Sequence, residues 1–239
     1  MVLLFVFLLT IVASFIQRVS GFGFGIFVMM FFPFFLPSYG ESVMLSGLLA
    51  GSTALMIDVK NWKYICWRMM GWVVFFNVLF SFLATEYMRS MSNSTLKQCL
   101  GVMLILIALY FFFGEGRMGK IFKSKSAQVT IGSISGIMGG MFAMPGPPIV
   151  LYCISTLENK REYVTTLQAF SVVLNVFYTF FRAKAGFYSD DTWLCWVIGI
   201  GGAVIGSSLG ERCFEIISNR TLKLIVYGMM IISGLVAIL

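Results

Sequence analysis

The strongest constraint on this chain is the length of its uncharged apolar runs. QCLGVMLILIALYFFF (Gln98 to Phe113) and LIVYGMMIISGLVAIL (Leu224 to Leu239) are two of several that reach or approach membrane-spanning length. A helix rises about 1.5 Å per residue, and a bilayer core is about 30 Å thick. A water-soluble core has no need for so many such segments. The chain is 59% hydrophobic and 11% charged, whereas a soluble domain is near half apolar and about a quarter charged. The sequence therefore predicts an all-α polytopic membrane protein whose first partner is the lipid bilayer. The net charge of +7 reads as oriented loops, not as a nucleic-acid surface.

The opening segment MVLLFVFLLTIVASFI lacks a basic n-region and a small-x-small cleavage site, so it reads as a retained helix. Five cysteines are scattered without C-x-x-C spacing, and histidine is absent. No disulfide framework, metal site or cofactor is expected. The commonest general base near neutral pH is also missing.

The chain repeats itself. SNSTLK at Ser92 returns as SNRTLK at Ser218, each before a last apolar run. Cys66-Trp67 returns as Cys195-Trp196, and Gly21 and Pro33 match Gly136 and Pro148. This order of landmarks predicts a first membrane repeat at 1–113, a basic linker at 114–127 and a second repeat at 128–239. Such repeats are common in secondary transporters. Ser and Asn before an apolar run are helix N-caps, which is the preferred reading of Asn93 over a glycosylation sequon.

Each half has two short apolar segments flanking a glycine stretch (1–16 and 22–36; 128–143 and 147–156). Three longer spans follow: 43–57, 66–85 and 97–113, then 164–181, 191–208 and 222–239. If each short pair returns to its starting side, twelve of the 17 Lys and Arg share one face. Arg89, Lys97, Arg182 and Lys184 then lie on the other, with Arg18 in the hairpin turn. Cytoplasmic loops carry the Lys/Arg excess. This arrangement predicts a multi-pass membrane protein with both termini outside, a cytoplasmic linker and two inverted-topology repeats. Each repeat is a Gly-rich helical hairpin plus three transmembrane helices. A re-entrant hairpin and two full spans satisfy the count equally.

The glycine stretches RVSGFGFG and SGIMGGMFAMPGPP then become turns entering from opposite faces and meeting near the midplane. Glycine allows the turn and close backbone approach. The helix that follows presents unpaired N–H groups, which bind anions without a charged side chain. Pro145, Pro147 and Pro148 suit a helix start. The candidate substrate-binding residues are Arg18, Ser20, Gly21, Gly23, Gly25, Ser46, Thr53, Gly136, Gly139, Gly140, Pro145, Gly146, Gln168 and Asn175. Arg18 either contacts substrate or snorkels to headgroups. Gln168 and Asn175 share a helical face that either lines a path or bonds helix to helix. GIGGAVIGSSLG, Gly199 to Gly210, reads as close helix packing or a dimer face. No carboxylate sits mid-span, so a buried proton relay is not evident, and a membrane enzyme lacks its acid or base. A non-transporting scaffold and a passive channel stay open.

These residues resemble the TauE/SafE sulfite exporter family over nearly the whole chain. The likeness is carried by SGFGFG followed by Pro33, GSISGIMGG followed by prolines, the basic linker and the repeated halves. It implies export of a small anion (sulfite, an organosulfonate or a related organic acid) by alternating access, with a proton or sodium as possible coupling ion, and a possible homodimer. Gly21, Gly23, Gly25, Gly136, Gly139 and Gly140 match the family's glycine motifs. Phe24 and the MFAM stretch depart from its runs of adjacent glycines.

Overall fold

A computed structural model describes residues 2–59, 61–114, 124–213 and 231. The described residues form ten α-helices and no strand: α1 Val2–Ser20, α2 Phe24–Met29, α3 Phe32–Phe35, α4 Tyr39–Asp58, α5 Gly71–Met88, α6 Asn93–Gly114, α7 Lys125–Phe142, α8 Gly146–Thr156, α9 Lys160–Lys184 and α10 Asp190–Cys213. By length and apolar composition α1, α4, α5 and α10, with Arg161–Lys184 of α9, are long enough to cross a membrane.

Local chemistry sets the boundaries. The Oγ of Ser38 accepts from the Glu41 amide, that of Ser92 from Thr95 and that of Ser124 from Ala127, each at 3.1 Å. These are N-caps, satisfying donors the helix leaves open. The cap reading of SNSTLK therefore holds; moreover, the Oδ1 of Asn93 accepts from the Tyr39 amide at 3.3 Å. Its repeat at Ser218, and the span 222–239, lie outside the described residues.

Two boundaries differ from expectation. The run 22–36 breaks into α2 and α3, because Pro33 near the start of α3 supplies no N–H to a continuing helix. The span expected from residue 66 starts at Gly71, behind two 3-10 turns at Trp62–Tyr64 and Trp67–Met69.

Three helix pairings build the body: α1 on α10, α5 on α7, and α4 on α9. Small residues make the first two. A Cβ on Gly202 would meet the Phe7 carbonyl oxygen at 2.6 Å, and one on Gly206 would overlap that of Ile11. Cβ atoms on Gly132, Gly136 and Gly140 would lie 2.7, 2.5 and 2.7 Å from the carbonyls of Val73, Asn77 and Ser81. Without a hydrophobic drive between helices in lipid, such close contact supplies the attraction. The Gly199–Gly210 stripe is thus taken up within the chain, mostly by α1.

The burial pattern is that of a protein in lipid. Leu4, Leu8, Trp72, Phe75, Leu79, Leu83, Trp193 and Val197 are exposed. Thr10, Ser14, Gln17, Asn77, Gln168 and Arg182 are buried. Polar groups gather inside because the bundle is where they find partners. Arg182, expected among the loop charges of one face, is fully buried in α9.

Candidate functional site

The first glycine turn joins α1 to α2. Gly21 has φ 84° and Gly23 φ 101°, left-handed values that favour glycine. The second turn joins α7 to α8, and there Ala143 takes the left-handed conformation, φ 56°. The two turns touch: a Cβ on Gly25 would overlap the Ala143 carbonyl oxygen, and one on Gly146 would lie 3.6 Å from the Cβ of Phe22. Between them lies a cavity of about 60 Å³, lined by Gln17, Gly21–Ile26 and Ala143–Gly146, with Ser171 and Asn175 from α9. At roughly 10–15 Å³ of such space per water, it holds a group of a few heavy atoms.

The donors in this cavity are unequal. In α2 the Phe27 amide donates to the Gly23 carbonyl at 2.9 Å, so the amides of Phe24, Gly25 and Ile26 precede the first intrahelical acceptor. In α8, Pro147 and Pro148 occupy the first turn behind Pro145, and proline has no N–H. Gly146 is the single amide there. The two helix starts are therefore unequal, because prolines that suit a helix start also strip it of donors. Ser171 adds a hydroxyl, its Oγ accepting from the Nδ2 of Asn175 at 3.2 Å.

Each turn is tied by the opposite half of the chain. The Nε2 of Gln168 on α9 donates to the Gly21 carbonyl at 2.9 Å, and its Oε1 accepts from the Nε2 of Gln17 at 2.7 Å. At the second turn, the hydroxyl of Ser135 donates to the Pro145 carbonyl at 2.7 Å and accepts from the Nδ2 of Asn77 on α5 at 2.9 Å. The Tyr178 hydroxyl donates to the Oδ1 of Asn77 at 2.6 Å. Arg182 sits over the Tyr178 ring at 5.1 Å and donates to the carbonyls of Val43 and Gly139 at 2.8 and 2.5 Å. No carboxylate among the described residues pairs with it. A cation at the last carbonyls of α7 opposes the negative end of that helix.

Gly21, Gly23, Gly25, Pro145, Gly146 and Asn175 line the cavity. Ser46 is fully buried, its Oγ 3.7 Å from a Cβ placed on Gly25. Ser20 closes the first turn, its hydroxyl 2.8 Å from the Ile16 carbonyl and 2.6 Å from that of Phe22. Thr53 bonds Ser14 at 3.2 Å, so it joins helices. Gly136 and Gly140 lie against α5, and Gly139 against Tyr178; they are packing positions away from the lining.

Arg18 does not line the central cavity. Its Nη2 is 3.2 Å from the Oε1 of Glu211, and it lines a separate polar cavity of about 220 Å³ with Asn61, Arg161 and Thr165. Gln17 and Leu167 line the central cavity, Arg18 and Val164 the second. The Gln17–Gln168 pair therefore lies where the two approach each other. Gln17, Tyr178 and Arg182 were not among the sequence candidates, whereas Asn77, the lone polar residue of VVFFNVLF, reads either as lining a path or as bonding helix to helix. The periodicity of α9 marks Tyr178 and Arg182 as one turn apart.

The sulfite exporter TauE/SafE family model matches residues 6–237 of the 239. The chain belongs to that family. No curated protein and no solved structure matches it. Membership makes it a multi-pass membrane protein of a transporter family, and the TauE/SafE resemblance read from its glycine turns is correct. The non-enzymatic expectation agrees with membership in a transporter family.

Proposed function

We propose that this TauE/SafE protein is a secondary transporter that exports a small anion, such as sulfite, an organosulfonate or a related organic acid, by alternating access of two inverted halves. The observation that carries the reading is the meeting of the two glycine turns around one small cavity lined by backbone amides. The cavity's size suits a small oxyanion, and amides supply donors without the desolvation cost of a bare charge.

The pattern of packing supports the inverted halves. With α1 paired to α7, α4 to α9 and α5 to α10 as repeat partners, the α1–α10 contact maps onto α7–α5, and α4–α9 maps onto itself. A pseudo-twofold axis between α4 and α9 would relate halves packed in this way. The repeats would be 1–113 and 128–239 around a cytoplasmic linker at 114–127. In this orientation the cavity of Arg18 and Arg161 faces the cytoplasm of an inner cell membrane, both termini lie outside, and its cations gather anions for export.

The test is uptake of radiolabelled sulfite into proteoliposomes holding the full chain, against empty vesicles and Gly25→Val. Gradient-driven counterflow in the wild type, lost in a folded Gly25→Val, is expected. Flux that never accumulates substrate against its gradient would make the protein a passive channel. No flux for any anion would favour a scaffold.

A further inference from the structure

The polarity of the central cavity is set by one backbone carbonyl. The Gly21 carbonyl can only accept, so Gln168 must turn its amide nitrogen to it, at 2.9 Å. The Oε1 of Gln168 is left to face Gln17, which must then present its own nitrogen, at 2.7 Å. The Ala50 carbonyl, 3.5 Å from that same nitrogen, demands the same orientation. Flipping either amide would set like against like. The atom left over is the Oε1 of Gln17. Gln17 lines the cavity and is 3% exposed, and its Oε1 has no hydrogen-bond donor among the described residues. A buried acceptor left unpaired forfeits the hydrogen bonds it made in water.

A fully ionised oxyanion offers only acceptors and would repel this atom. An anion that keeps one O–H satisfies both sides of the cavity. We infer that the site takes a small monoanion still carrying its own hydroxyl, such as hydrogensulfite in its O–H form or a short hydroxycarboxylate. Its ionised oxygens accept from the backbone amides and Ser171, and its hydroxyl donates to the Oε1 of Gln17. The O–H bond stays intact throughout, so a proton crosses as part of the substrate and the bundle needs no carboxylate relay. This inference rests on the transport reading of the same cavity and adds the protonation state of what is carried.

The experiment is binding calorimetry on the full chain in nanodiscs, with sulfite and methanesulfonate, below and above the second ionisation of sulfite. Methanesulfonate is a monoanion without O–H at both pH values. Sulfite is expected to bind more tightly below its ionisation by about fivefold, the worth of one neutral hydrogen bond. Methanesulfonate is expected to bind weakly and equally at both. In Gln17→Met the ratio of sulfite to methanesulfonate affinity at the lower pH should fall toward one. Sulfite binding that tightens as pH rises, or wild-type methanesulfonate affinity equal to that of sulfite, overturns the inference; equality means that water satisfies Gln17. An unchanged ratio in Gln17→Met overturns it as well. If Gln17→Met does not fold, the wild-type comparison decides by itself. Transport of anions without preference for O–H defeats this inference alone, whereas the absence of any anion transport defeats the reading beneath it.

Discussion

The amide nitrogen of Gln17 donates to the side-chain oxygen of Gln168 at 2.7 Å, joining α1 to α9 across 151 positions of sequence. The same Gln168 holds the Gly21 carbonyl, so one side chain fixes the first glycine turn against the opposite half.

Gln168→Glu should therefore be more damaging than its size implies. An ionised carboxylate can still accept from Gln17 but cannot donate to Gly21. The loss should be about 1–3 kcal/mol, the cost of an unsatisfied buried carbonyl beside a buried charge. Denaturation of the detergent-solubilised protein, alongside Gln168→Ala, measures it; equal stability of Gln168→Glu and wild type would remove Gln168 from this role.

The glycines of α10 offer a matched pair. A Cβ on Gly206 would overlap the Ile11 carbonyl, whereas one on Gly201 meets only Phe7 Cε2, at 3.4 Å. Gly206→Ala must push α1 away and should cost about 1–3 kcal/mol, as overpacking does. Gly201→Ala should be neutral or slightly stabilising, since alanine favours helix. Size-exclusion thermostability of the two variants separates close packing from composition.

Tyr178, Asn77 and Arg182 form a polar chain beneath the second turn. A double-mutant cycle of Tyr178→Phe and Asn77→Ala should give a coupling of about 0.6 kcal/mol and no more than about 1.7, the range of hydrogen bonds inside membranes. Arg182→Lys should not rescue Arg182→Met, because lysine is a point charge that does not reproduce the planar fork bridging two carbonyls. Recovery of stability and transport by lysine would mean that charge alone matters there.

Arg18→Ala should leave maximal transport rate near wild type and raise KM a few-fold, with a weaker dependence on salt. Arg18 lines the second, polar cavity and faces Glu211, a half-exposed residue, so its effect is capture rather than binding at the centre. Complete loss of transport in folded Arg18→Ala would place it at the substrate after all.

The sequence by itself determined the class of molecule and where its chain turns. Apolar runs of that length cannot be dissolved in water, and glycine and proline mark turns through backbone geometry that is local. The cap at Ser92 was equally legible, resting on a hydrogen bond three residues away. What lines the cavity was not legible. Gly25 and Gly136 look alike in sequence, yet one borders the cavity and the other lies against the Asn77 carbonyl. Arg182 read as a loop cation and is enclosed, while Arg18, open between substrate contact and snorkelling, faces Glu211. Such distinctions depend on which helix arrives from the other half. Only tertiary structure decides that, because a side chain's partner across a bundle is fixed by packing and not by spacing along the chain.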